Sequence, residues 1–490
     1  MIFAGLDVGT SGAKITVFNQ GDTLFKVHKK YPSIRNDVKH VIDATEVLQT
    51  VYSLIDEVVE RSPELEAIGV TSFGECFVLL DGSDRVLFES MLYTDPRGEE
   101  EALEINQRIG EELLGKITGQ KAHSMFSLPK LLYIKKHHPD IYHRAKRLCL
   151  MEDFIVYSLT GNACIDYSLA ARTLCFDITN NTWSDLILNQ FDLDKKMFSS
   201  PVRIGHHAGS IKAIFNNRWK TKKPISIINV AHDQVASVIG AIDQQEEGVA
   251  VAGMGTCECI TPIFDRLKKD PIFYEGGYGM IPLYEENLYG TYSLINTGSA
   301  LIDWVIDSLF KDIKEEKNVH VIIQKHLDYI PKRIMVLPHF AGAATPYMDG
   351  EAKGAIVNLD LASTRYDIYQ ATLESLSYEA KHSLAKLSKT GIKIRKLYAT
   401  GGGSLNEAWL QIKANVLERP IYVLENNDSG TVGTALVVGW SMGCFASIAD
   451  GRKKLVHIKN IIYPDGKYKD MYRSQYQRFI KLYKLMEKVR

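Results

Sequence analysis

Long apolar runs are missing from this chain of 490 residues. Nothing in it approaches the ~18 uninterrupted apolar residues of a membrane-crossing helix, so no membrane role is expected. Net charge is missing too. Lys plus Arg is 58 and Asp plus Glu is 59, leaving −1, which argues against a nucleic-acid partner recruited by bulk charge. A disulfide framework is also absent. The seven cysteines, Cys76, Cys149, Cys164, Cys175, Cys257, Cys259 and Cys444, are odd in number and scattered. Cys257 and Cys259 are the only close pair, and one intervening residue is not a zinc or redox spacing. A reduced, cytoplasmic chain is the expectation. The opening Met1-Ile2-Phe3-Ala4-Gly5-Leu6-Asp7 lacks the basic start and apolar core of a signal peptide. There is no GxxxxGK[ST] phrase, and no helix directly follows the first glycine-rich turn, which argues against a P-loop or Rossmann site.

What is present is ordinary globular composition, with 45% hydrophobic and 24% charged residues. At ~150 residues per domain the length allows two large domains or three smaller ones. Such a chain buries its cores without a metal or disulfide staple.

Ile2–Leu6 reads as a short buried strand. It ends in Asp7-Val8-Gly9-Thr10-Ser11-Gly12-Ala13-Lys14, and Ile15–Phe18 follows at once as a second strand. The spacing predicts a helix over 45–60, with Asp43 as cap, Glu46 closing a capping box, and Val47, Val51, Ile55 and Val58 on one face. Ala67–Ser72 is a strand running into Phe73-Gly74-Glu75, and Phe77–Leu80 is another, stopped by Asp81-Gly82. Strands alternating with helices predict an α/β fold.

About half a chain length later, Ala250–Cys257 repeats the opening pattern: a small apolar strand, then Gly255-Thr256 and a small residue. Two α/β domains follow, 1–243 and 244–490, meeting near the polar segment 242–248 with the main cleft between them. Further helices are expected over Arg365–Leu387 (capped by Thr364), over Glu407–Leu417, and from Asp428-Ser429-Gly430 onward. Between the first two of these, the strand Ile394–Thr400 leads into Gly401-Gly402-Gly403. The basic tail from Lys467 carries Tyr472, Tyr476, Phe479, Tyr483 and Met486 at helical spacing, as a docked terminal helix would.

Two Gly-Thr turns facing each other make a phosphate site, because glycines let backbone N–H groups approach phosphate oxygens and each Thr adds a donor. Asp7 beside a triphosphate would repel it without a cation, so it reads as a partner to Mg²⁺ or its water, with Lys14 adding positive charge. Asp233 follows the strand Ile225–Ile228 in the phrase Asn229-Val230-Ala231-His232-Asp233-Gln234. A carboxylate where a strand ends and a helix begins can take a proton from an attacking hydroxyl. Taken singly, the first turn reads more readily as a plain hairpin, and Asp233 as a helix cap.

Together these phrases resemble the FGGY carbohydrate kinases, of the actin, hexokinase and Hsp70 ATPase superfamily. The resemblance spans nearly the whole chain. Asp7-x-Gly9-Thr10-Ser11 is similar to the first phosphate motif, and Gly69–Glu75 to the sugar-contacting segment. Tyr93-Thr94-Asp95-Pro96-Arg97 is similar to a Trp-x-Asp-x-Arg phrase, and Asp166–Thr173 to Asp-x-Ser-x-Ala-x-x-Thr. His232-Asp233-Gln234 falls on the catalytic aspartate and Gly255-Thr256 on the second phosphate motif. Thr345-Pro346-Tyr347 with Ala352-Lys353-Gly354 matches a further phrase. Gly401–Gly403 and Gly430–Ala435 match the adenosine phrases.

The resemblance implies two ribonuclease-H-like (actin-like ATPase) domains around a central cleft, with ATP and Mg²⁺ as cofactors. It implies Asp233 as general base, with Gly9, Thr10, Ser11, Lys14, Gly255 and Thr256 on the phosphates and Asp7 on the metal. It places Gly298, Gly401, Gly402, Gly403 and Asn406 around the nucleotide. It makes Glu75, Phe73, Thr94, Asp95, Arg97 and Gln234 the readers of a small sugar, with Asp95 and Arg97 offered from one side of a strand. A homodimer is the expectation by analogy.

The sugar is not fixed by these phrases. Xylulokinases carry Gln-Met-His where this chain has Ser72-Phe73-Gly74, and glycerol kinases carry Arg-Glu where it has Gly74-Glu75. The His-Asp pair and the Tyr-x-Asp-x-Arg phrase lean toward kinases of deoxyketoses such as rhamnulose and fuculose. Gln234 and Glu75 fit the glycerol-kinase pattern, so these hints conflict, and the expectation is a sugar kinase acting on a xylulose-, rhamnulose- or fuculose-like ketose. The competing readings are a polyol kinase, an actin- or Hsp70-like ATP-driven binding module, and a lapsed sugar sensor. Intact motifs count against the last of these.

Overall fold

The computed structural model describes residues 1–215, 217–243, 247–268 and 270–489. Its first half is built on β1 (Ile2–Val8), β2 (Gly12–Asn19), β3 (Asp22–Lys30), α1 (Ala44–Arg61), β4 (Leu65–Ser72), α2 (Met151–Thr160), β5 (His207–Ser210), β6 (Ser226–His232) and α3 (Asp233–Ala241). The six strands form one sheet in the order β5-β6-β4-β1-β2-β3. β1 pairs antiparallel with β2 and parallel with β4, and β4 pairs parallel with β6. Parallel strands buried on both faces read as continuous apolar runs, and Phe3, Ala4, Leu6, Ile68, Val70, Ile227 and Ile228 are all fully buried.

The second half repeats this arrangement with β7 (Val249–Met254), β8 (Glu258–Phe264), β9 (Met280–Pro282), β10 (Tyr289–Thr291), β11 (Ser293–Ile295), α4 (Arg365–Leu387), β12 (Lys396–Thr400), α5 (Glu407–Leu417), β13 (Ile421–Leu424), α6 (Ser429–Ser441), α7 (Ile448–Leu455), β14 (Ile458–Ile462) and α8 (Lys469–Glu487). Its sheet runs β9-β10-β8-β7-β12-β13-β14, with β11 also on β8. β7 pairs antiparallel with β8 and parallel with β12, as β1 does with β2 and β4. The Gly-Thr repeat thus marks equivalent hairpin turns. The expected boundary at 243/244 adjoins residues 244–246, which lie outside the described residues.

The local signals act as expected. Asp43 caps α1, but its carboxylate accepts from the Thr45 amide at 2.8 Å, one position short of a capping-box partner at Glu46. Thr364 and Asp367 cap α4 reciprocally, and that helix and α5 keep their expected ends. α8 docks by burying Tyr472, Gln475, Phe479 and Leu482. All seven cysteines are free. Among the described residues no helix is long and apolar enough to cross a membrane.

Two helices join the halves. α3 and α6 pack against each other with glycines at the crossing, Gly240 on one and Gly433 on the other. Both helices begin at the cleft: α3 with Asp233, and α6 after its N-cap Asp428.

Candidate active site

A cleft of about 600 Å³ lies between the halves. Thr10 enters it from the β1–β2 turn and Thr256 from the β7–β8 turn. Each turn is closed by its own backbone, Gly9 N–H on Gly12 O at 2.9 Å and Gly255 N–H on Cys257 O at 3.0 Å. Ser11, Lys14 and Asp7 line the same region, and so does Gly401. Gly401 has φ 84°, and a side chain there would strike the Met254 carbonyl oxygen at 2.9 Å.

Lys14 joins the two halves electrostatically. Its ammonium lies 3.1 Å from Asp7 and 2.9 Å from Asp428, and Lys26 meets Asp428 at 2.6 Å. Burial pulls the Lys14 pKa down, but Asp7 and Asp428 outweigh it and hold it above the usual lysine value. Burial raises Asp7, against the pull of Lys14. A carboxylate in that position is short of compensating positive charge. On the cleft lining, Asp7 fits a Mg²⁺, which takes one or two carboxylates and otherwise phosphate and water oxygens.

Asp233 sits at the first turn of α3 where β6 ends. Its pKa is pushed up to about 7, first by burial and then by the charges of Asp7 and Glu75, against hydrogen bonds from Gln234. Its Oδ1 lies 3.2 Å from His232 Nε2 without an aligned hydrogen bond. His232 is held well below its ordinary pKa by burial and by Arg172, so it is neutral. Its Nδ1 bonds the Tyr292 hydroxyl at 2.9 Å, from the other half of the chain.

The same cleft is lined by Phe73, Glu75, Tyr93, Met125, Arg172, Tyr292 and Leu294, and the charge of Glu75 acts on Asp233. Arg172 is buried and donates through Nε to Glu75 Oε1 at 2.5 Å, with its NH2 on the same oxygen. The guanidinium also lies over the rings of Phe126 and Tyr292, 4.9 and 5.4 Å from their centroids.

Several expected readers stand elsewhere. Asp95 and Arg97 are in a turn after the two-residue strand Ser90–Met91, not in a strand. Instead of facing outward as an acceptor and a donor fork, they are closed on each other. Asp95 Oδ2 takes Arg97 NH2 at 2.7 Å and the His40 amide at 2.9 Å, while Oδ1 takes the Arg97 amide at 3.0 Å and Nε at 2.8 Å. The second NH group of Arg97 goes to Glu89. Pro96 between them breaks the ladder that a strand would need. Thr94 bonds His40 Nδ1 at 2.5 Å.

Asn406 is likewise occupied. It caps α5 through the Trp409 amide at 3.0 Å, accepts from Gln324 and donates to the Tyr369 hydroxyl. Gly298 buttresses the second turn from behind, donating to Thr256 O at 2.7 Å. Gly403 packs on Trp409 and Met254, whereas Gly402 has open space at its Cβ position. Arg172 carried a signal, since it stands inside the Asp166–Thr173 phrase. Tyr292 and Met125 carried none, because no motif surrounds them.

The comparisons decide the kinship. Residues 2–240 match the N-terminal domain model of the FGGY family of carbohydrate kinases, and residues 250–442 match the C-terminal domain model. The chain belongs to the FGGY carbohydrate kinases. This kinase is 23% identical over 488 residues to the xylulose kinase of Bacillus subtilis, covering 98% of this chain and 96% of that one. It is 27% identical over 469 residues to the glycerol kinase of Streptococcus pyogenes serotype M28, covering 92% and 90%. The crystal structure of ligand-bound xylulose kinase from Lactobacillus acidophilus superimposes with a TM-score of 0.92 at 21% identity, over 99% of this chain and 98% of that one. The fold is the two-domain actin-like ATPase fold, and the kinase is an ATP-dependent sugar phosphotransferase.

Proposed function

We propose that the kinase transfers the γ-phosphoryl group of ATP to a hydroxyl of a small neutral ketose, with Asp233 as the base. One observation carries this reading: a carboxyl with its pKa pushed up to about 7 lies in the cleft that both Gly-Thr turns line. A base works best when its pKa is near the operating pH.

The sugar hydroxyl gives its proton to Asp233 as its oxygen attacks the phosphorus. Thr10, Thr256 and Ser11 would hold the phosphate oxygens, the Gly9 and Gly255 amides being used to close their own turns, and Lys14 turns from Asp428 toward the phosphates. Asp7 would hold Mg²⁺, which supplies charge neutralisation on the β- and γ-phosphates when bound. Gly401 lines the part of the cleft that would take the adenosine. Catalysis here is positioning and electrostatics, since phosphoryl transfer asks for little covalent chemistry.

Neutrality of the substrate follows from the cleft's charges. The buried cation on its lining, Arg172, is taken by Glu75. A sugar acid would bring a carboxylate toward Glu75 and Asp233, two acids that already repel each other. Glu75 and Gln234 offer acceptors and a donor for hydroxyls, and Phe73, Met125 and Leu294 offer apolar surface for C–H faces. The xylulose kinases among the relatives support a ketose. The glycerol kinase at 27% identity supports a polyol as the second reading.

ATP consumption measured against pentuloses, 6-deoxyhexuloses, hexuloses, polyols and sugar acids tests the proposal. Saturable turnover with one ketose and none with sugar acids is expected. Turnover with glycerol or erythritol alone moves the assignment to a polyol. Preference for a sugar acid, or ATP hydrolysis indifferent to every sugar, overturns it.

A further inference from the structure

The strand that carries Asp233 is left incomplete along its outer edge. β5 pairs with β6 only as far as Ile228 opposite His207. Asn229 still finds backbone partners at Gly205 and His206. Beyond it, on the other side of the strand, the register with β4 slips between Asn229 and Ala231. The last two outward amides before the base, those of Val230 and His232, therefore have no strand to donate to.

Two side chains take the place of that strand. Val230 N–H donates to Glu152 Oε1 at 3.0 Å, and His232 N–H donates to Ser168 Oγ at 2.9 Å. Glu152 comes from α2. Ser168 belongs to the short turn of helix Tyr167–Ala170, capped by Asp166. Ser168 can accept from His232 because its own proton is directed to Asp166 Oδ1, 2.5 Å away, which also takes the Ser168 amide at 2.7 Å. Glu152, Asp166 and Ser168 are completely buried.

The two carboxyls complete the cluster. Glu152 Oε2 and Asp166 Oδ2 have no hydrogen-bond partner of their own among the described residues. Burial and the charges of Asp166 and Asp153 hold Glu152 well above the usual carboxylate range, so it carries the proton. Burial raises Asp166 as well, to about 6, against Ser168 and Glu152, so a proton on Glu152 shared with Asp166 would serve both unpartnered oxygens, and Asp166 Oδ1 keeps the Ser168 proton.

We infer that Glu152, Asp166 and Ser168 form a brace that positions Asp233, holding the end of β6 by its two unpaired amides so that the base points at the sugar hydroxyl. None of the three touches the cleft. They act through the backbone, as positioning residues, and the inference rests on Asp233 being the base. Holding a catalytic group in a near-attack geometry matters because a displacement of ~1 Å can cost about 100-fold in rate.

The test measures kcat, both KM values, ATP binding and thermal unfolding for S168A, E152M, E152Q and D233N. S168A deletes one oxygen and leaves His232 N–H unpaired. It is expected to lower kcat about 10- to 100-fold with both KM values within about twofold of wild type. E152M keeps the side-chain length but removes the acceptor of Val230 and is expected to behave likewise. E152Q still accepts from Val230 and donates to Asp166, and is expected to restore kcat. A packing role alone would lower the unfolding temperature without this split. Wild-type kcat in either S168A or E152M, with D233N inactive, overturns the brace and leaves the base intact. Wild-type kcat in D233N overturns the base itself. If S168A fails to fold, E152M against E152Q decides, and equal kcat in those two overturns the brace.

Discussion

Gly240 of α3 and Gly433 of α6 stand backbone against backbone. A methyl group on Gly433 would lie 1.8 Å from the Ala236 carbonyl oxygen, and one on Gly240 would lie 2.3 Å from the Gly433 nitrogen. The close crossing sets where both helices begin, and those beginnings are Asp233 and Asp428 on the two walls of the cleft.

Gly433→Ala should therefore do two things. Forcing the helices apart is expected to cost about 3 kcal/mol, at the upper end of overpacking penalties. It is also expected to lower kcat, because Asp233 moves with α3. Gly402→Ala is the contrast: nothing lies within 4 Å of its Cβ position, so its stability change should stay within about 0.5 kcal/mol. Chemical denaturation of the two variants checks both.

Asp95→Ala separates reading a sugar from holding a turn. Burial opposes the charge on Asp95, but Arg97 and the His40 amide outweigh it and hold its carboxyl below the ordinary range. Its side chain is fully buried. Loss of one partner of such a pair is expected to cost about 3 kcal/mol. Both KM values should change together and little. The sign of the pH dependence follows. The native pKa lies below the unfolded value of ~3.9, so the Asp95 contribution is present above that value and fades as pH falls. The stability gap between wild type and variant should narrow in acid. A large rise in sugar KM alone, at unchanged stability, would return Asp95 to the sugar site.

The rate should follow the ionisation of Asp233. Its pKa of about 7 means the base is protonated and idle in acid, so kcat/KM for the sugar should climb through neutral pH and level off above it. Glu75 is one of the acids raising it. Glu75→Gln removes that charge and should move the acidic limb to lower pH, even as Arg172 loses its partner and the sugar KM rises. A limb that stays in place in Glu75→Gln would mean that another group controls the rate.

The sequence and the structure agree most closely where the physics is local. Capping by Thr364 and Asp428, the apolar face of α1 and the two Gly-Thr hairpins are set by residues within a few positions of each other, and each stands where its pattern places it. The repeat was legible for the same reason: a Gly-Thr turn after a small apolar strand is a short phrase. The site was legible only in part. Asp233, Glu75, Phe73 and both turns line the cleft, as the phrases implied. Asp95 and Arg97 stand in the matching phrase, yet their charges are spent on each other, and no spacing rule distinguishes a pair offered to a ligand from a pair closed on itself. Asn406 is used by its own helix. Tyr292 meets His232 across 60 positions, and Glu152 meets Val230 across 78. Contacts of that kind depend on how the halves pack, and single residues without a phrase around them carry no trace of it.

The central claim is that Asp233 takes the proton from the sugar hydroxyl, and Asp233→Asn tests it most directly. Asparagine keeps the shape and removes the base. With the preferred sugar and saturating ATP, kcat is predicted to fall by about 10²- to 10⁴-fold, while the dissociation constant for ATP stays within about twofold of wild type. Turnover near the wild-type rate in that variant would contradict the account.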